Sequence, residues 1–111
     1  MDVQHLLPLA PRDLLILSIL SEGPRHGYGI VRAVEQSGCG VVLDPANLYR
    51  VLRRMTRAGW LHEVEGQGED VGRRRIYAIT GRGGAVLHAE VARLERLLGR
   101  VRPAQVRGKP A

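Results

Sequence analysis

Apolar residues recur at helical spacing in four stretches of this chain and alternate in one further region. The first stretch, residues 14–20, carries Leu14, Leu15, Leu17, Ile19 and Leu20. It is too apolar for a surface helix, so a heavily buried helix is expected there. Pro11 suits the first helical turn, and Gly23-Pro24 ends the helix because proline cannot continue it. Tyr28, Ile30, Val31 and Val34 predict a second helix over 26–36, closed by the turn Ser37-Gly38-Cys39-Gly40. His26 is expected to cap or orient it.

The third helix has the sharpest start. Asp44 is a good N-cap and Pro45 fits the first helical position. Leu48, Val51, Leu52 and Met55 form one apolar stripe, and Gly59 ends the helix. Residues 60–65 then alternate, with Trp60, His62 and Val64 on one side and Leu61, Glu63 and Glu65 on the other. A polar tip at 66–72 leads to a returning strand at 74–79, which completes a β-hairpin. Thr80 caps a last helix, whose stripe is Leu87, Val91, Leu94 and Leu98. The pattern divides the chain into a flexible arm (1–10), a helix-helix-helix-hairpin unit (11–80), a C-terminal helix (81–101) and a frayed tail (102–111). The expected fold class is mainly α with a small β-hairpin: a winged helix-turn-helix plus a C-terminal dimerisation helix.

Charge sharpens this picture. The 111 residues hold 17 Lys plus Arg against 11 Asp plus Glu, a formal net charge of +6. A basic domain attracts polyanions. Arginines gather on the third helix (Arg50, Arg53, Arg54, Arg57) and at the hairpin (Arg73, Arg74, Arg75). The helix face opposite the apolar stripe also bears Asn47, whose amide suits adenine, while arginine suits guanine or phosphate. Tyr28 and Tyr49 can donate to phosphates, which position a protein without reading sequence. The expected DNA-binding set is therefore Tyr28, Asn47, Tyr49, Arg50, Arg53, Arg54, Arg73 and Arg74. Glu63, Glu65, Glu69 and Asp70 offset the arginines near the wing.

Other chemistry is sparse. One cysteine, Cys39, cannot form an internal disulfide. That usage, and a start without a basic leader, point to a cytoplasmic protein without a membrane span. The four histidines lack zinc-ligand spacing, and no catalytic triad or phosphate loop is visible. No metal, cofactor or enzymatic activity is expected.

Four segments resemble the PadR family of transcriptional regulators over roughly residues 9–98. Residues 11–17 look like its opening helix. Gly23-Pro24-Arg25-His26-Gly27-Tyr28-Gly29-Ile30 matches its G-P-x-H-G-Y-x-I signature. Residues 44–55 resemble its recognition helix, and residues 72–80 its G-R-x-R-x-Y-x-L-T wing. Ala10 stands where the family commonly has a capping Ser or Thr, and the single C-terminal helix is like that of its smaller branch. The resemblance implies homodimers whose last helix packs across the dimer, partly against the first helix. It implies double-stranded DNA as partner, inverted-repeat operators, and repression. Some members are released by small aromatic or drug-like molecules. The expected dimer interface is Leu14, Leu17, Leu87, Val91, Leu94 and Leu98. A winged-helix module that binds protein instead of DNA would call for a neutral or apolar third-helix face.

Overall fold

The computed structural model describes residues 2–64 and 75–104. The elements are α1 (Pro11–Ser21), β1 (Arg25–His26), α2 (Gly27–Ser37), α3 (Pro45–Arg57), β2 (Leu61–Val64), β3 (Ile76–Ile79) and α4 (Gly81–Arg100). The tip at 66–72, Arg73, Arg74 and the tail from residue 105 lie outside the described residues.

Local signals set the helix ends. Pro11 opens α1 behind Ala10, which provides no side-chain cap. The Asp44 carboxylate accepts from the Ala46 N–H at 3.0 Å, and Pro45 follows it. At the far end of α3 the N–H of Trp60 donates to Met55 O (2.9 Å) and that of Gly59 to Thr56 O (3.0 Å). This double bond pattern needs a left-handed residue after the helix, and Gly59 supplies it at φ +82°. Thr80 caps α4, its hydroxyl accepting from Gly83 N–H at 3.0 Å.

The hairpin is wider than its alternation predicted. β1 pairs antiparallel with β3, giving a three-stranded sheet in the order β1-β3-β2. A two-residue strand carries no periodicity, which is why the pattern missed it. The same shift makes α2 begin at Gly27. His26 occupies the N-cap position but makes no side-chain cap bond, and its Nδ1 is buried without a hydrogen-bond partner among the described residues.

One core joins α1, α2, α3 and the sheet through Ile16, Leu20, Ile30, Val34, Leu48, Leu52, Met55 and Leu61. Trp60 is also buried, one residue ahead of β2. The expected loose arm is packed: Val3 lies in the core, Gln4–Leu6 form a 3-10 turn, and Leu9 N–H donates to Glu90 at 2.7 Å. Apolar burial outweighs chain freedom there.

Helix α4 has two faces. Gly83, Val86 and Glu90 are its buried residues. Gly83 is a close approach: a Cβ there would strike the Trp60 carbonyl oxygen and Ile79. Glu90 is only 1% exposed, and Arg93 satisfies it through paired contacts (Nε at 2.5 Å, Nη2 at 3.1 Å). These bonds hold its carboxyl below the ordinary range, against the opposing effect of burial.

Candidate nucleic-acid interface

Helix α3 spends its apolar stripe inside the protein. Leu48, Val51, Leu52 and Met55 are all buried, so the remaining face must carry the polar residues outward. On that face Tyr49, Arg50, Arg53, Arg54 and Arg57 are exposed. The Asn47 Oδ1 accepts from Arg50 Nη2 at 2.8 Å, one helical turn along. Its amide donors stay available. Tyr28, on α2, is 64% exposed, with the Arg32 guanidinium 5.8 Å from its ring centroid. That distance is within cation–π reach.

Arg54 takes a different role from its neighbours. Its Nη2 lies 2.7 Å from the Asp13 carboxylate, and Asp13 is buried on α1. Arg54 therefore ties α3 to α1 across 41 residues of sequence. Helical spacing could not foretell this pair, because its partner sits on another element.

Tyr49 and Arg53 meet the sheet instead. Together with Glu63, Arg75 and Tyr77 they line a cleft of about 330 Å³ between α3 and the β2–β3 ladder. Arg75 Nη1 reaches the two Glu63 oxygens at 3.3 and 3.4 Å. Burial, reinforced by the Glu63 carboxylate, raises the Tyr77 hydroxyl above its ordinary value. Alternation alone gives no signal for Tyr77, because the register that sets it opposite Glu63 belongs to the folded sheet. The Tyr49 hydroxyl also rests on Gly27, where an added Cβ would come within 3.0 Å of it. Arg73 and Arg74 lie outside the described residues.

The expected interface residues divide. Leu17, expected at the interface, is 0% exposed in the core of the chain itself. Helix α1 is apolar nearly all round, so spacing alone could not say which leucine faces out. Leu14 is half-buried and joins Leu87 and Val91 in a largely apolar groove of about 380 Å³ between α1 and α4. Cys39 opens onto the same groove. Leu94 is half-buried, and Leu98 is 68% exposed.

Among the described residues, no cluster of His, Cys, Asp or Glu is placed to hold a metal ion. No described helix is long and apolar enough to cross a membrane.

Comparison with known proteins fits this geometry. A 37.1 kDa uncharacterized protein of a Streptomyces fradiae transposon is 36% identical over 89 residues, which are 80% of this chain. The match spans only 24% of that relative, about a quarter of its length. A PadR family transcription regulator of Clostridium difficile superposes with a TM-score of 0.70 at 24% identity, covering 81% of this chain and 93% of that one. PadR of Bacillus subtilis, solved in complex with operator DNA, gives 0.65 at 23% identity, covering 94% of this chain and 54% of that one. The family model for PadR-like transcriptional regulators matches residues 16–89. The chain belongs to the PadR-like family of transcriptional regulators.

Proposed function

We propose that this chain is a dimeric, cytoplasmic repressor that binds an inverted-repeat promoter site. Helix α3 of each protomer lies in a major groove, and the wing reaches the adjacent backbone or minor groove. One observation carries the reading: α3 buries its whole apolar stripe and turns a cationic face to solvent. A protein-binding module would call for an apolar or neutral face there. The operator complex of the Bacillus subtilis relative supports the same assignment.

In this reading Asn47, Arg50 and Arg53 face base edges or phosphates, Tyr28 and Tyr49 position the backbone, and Arg73 and Arg74 serve the wing. Arg54 acts mainly through Asp13. The dimer is supported by apolar side chains left open on α4 and by the groove against α1. Two-fold symmetry would set the recognition helices about 34–36 Å apart, one turn of DNA. A small aromatic or drug-like effector would act by changing that spacing, so that both half-sites lose register together.

The test is retention of fragmented genomic DNA on the purified protein, followed by sequencing. Enrichment of a short inverted repeat upstream of genes supports the reading. Uniform recovery overturns its sequence specificity. With about 6–10 phosphate contacts, affinity falls roughly 10³–10⁵-fold between about 50 and 200 mM salt. A flat salt response overturns its electrostatic part.

A further inference from the structure

The cleft between α3 and the sheet is built almost entirely from donors. Tyr49 and Arg53 stand one helical turn apart on α3. Tyr77 and Glu63 stand opposite each other on β3 and β2, so their side chains share one face. Tyr77 is 3% exposed, yet it lines the cleft. The groups around it are Glu63, Arg75, Tyr49 and Arg53, the rest of the lining. Among the described residues, two guanidinium groups and two hydroxyls thus surround a space in which the one acid is Glu63.

Glu63 holds Arg75 loosely. Both contacts exceed 3.2 Å, and the two side chains are 43% and 63% exposed. Exposed pairs of this kind are weak and readily exchanged. A phosphate offers guanidinium the same pair of oxygens as a carboxylate.

We propose that Glu63 stands in for a DNA backbone phosphate in the free protein: a phosphodiester entering the cleft takes Arg75 from Glu63 and meets Arg53 and the Tyr49 and Tyr77 hydroxyls. The inference rests on the DNA-binding reading above. Glu63 then acts as an internal competitor. It lowers affinity for any duplex and limits the salt that the complex tolerates.

The experiment titrates the full chain into a labelled random-sequence duplex, followed by fluorescence anisotropy over a salt series. Glu63→Gln should tighten binding about two- to fivefold, the range of an exposed charge pair. In an Arg75→Ala background that gain should disappear. Tyr77→Phe should weaken binding with the helical circular dichroism unchanged. Glu35→Gln removes the same charge about 12 Å further along α2 from Gly27, and should give a smaller gain. Equal gains from Glu63→Gln with and without Arg75, or from Glu35→Gln, would show that only net charge matters and overturn the proposal. Failure of the wild-type chain to bind any duplex at low salt overturns the DNA reading itself, and this role with it.

Discussion

Helices α3 and α4 are both amphipathic, and they dispose of their apolar faces differently. Helix α3 buries all of Leu48, Val51, Leu52 and Met55 in the core of the chain. Helix α4 buries Gly83, Val86 and Glu90, whereas the stripe visible in the sequence stays partly open, with Val91 at 40% and Leu98 at 68% exposed. What a helix leaves over identifies its partner. On α3 the surplus is cationic and suits a polyanion. On α4 it is apolar and suits another copy of the same surface.

The largest expected effect breaks the α3 side. Leu52→Ala should cost about 2–5 kcal/mol in urea unfolding, because the cavity opens inside the core of the chain. Leu98→Asp should leave the fold intact by circular dichroism. In sedimentation it should raise the dissociation constant of the proposed dimer about tenfold, the scale of a useful interface side chain. If Leu98→Asp instead unfolds the chain, the contrast between the helices is wrong.

Two arginines on α3 sharpen the comparison. Arg53→Ala should weaken binding about equally across duplex sequences, as loss of a phosphate contact does, with little change in stability. Arg54→Ala should do the reverse. It should cost about 1 kcal/mol of folding stability, because Arg54 is half-exposed while Asp13 is not.

The smallest effect concerns pH. The Glu90 carboxyl lies below the ordinary carboxylate range in the folded chain, so its contribution to stability is complete above that range. It is lost as pH falls through the lowered value. Acid titration of thermal unfolding should show a steeper loss in wild type than in Glu90→Gln.

Much of the fold is legible because its punctuation is local. Asp44, Pro45, Gly59 and Thr80 each act within a few residues, and they place α3 and the start of α4 correctly. The contacts that escaped the pattern are distant ones. Asp13 meets Arg54 across 41 residues, and Leu9 meets Glu90 across 81. The resemblance put Leu17 in the expected interface, and spacing could not exclude it, because α1 offers apolar residues on nearly every side. The cationic face of α3 was legible as a set, since residue type and helical period suffice. The cleft was not, because it needs the strand register that brings Glu63 opposite Tyr77.

The contact at Gly83 has a mechanical consequence. Gly59 O accepts from the Thr80 hydroxyl, Trp60 O accepts from Thr80 N–H, and Gly83 lies bare against Trp60. The end of α3, the root of the wing and the first turn of α4 are thereby clamped at one fulcrum with no side chain between backbones. From Gly83 to Leu98 the lever arm is about 22 Å, so a tilt of about 5° at the fulcrum swings Leu98 by about 2 Å. Any larger residue at 83 would loosen that joint, and angular play between the two ends of the molecule would replace a rigid linkage.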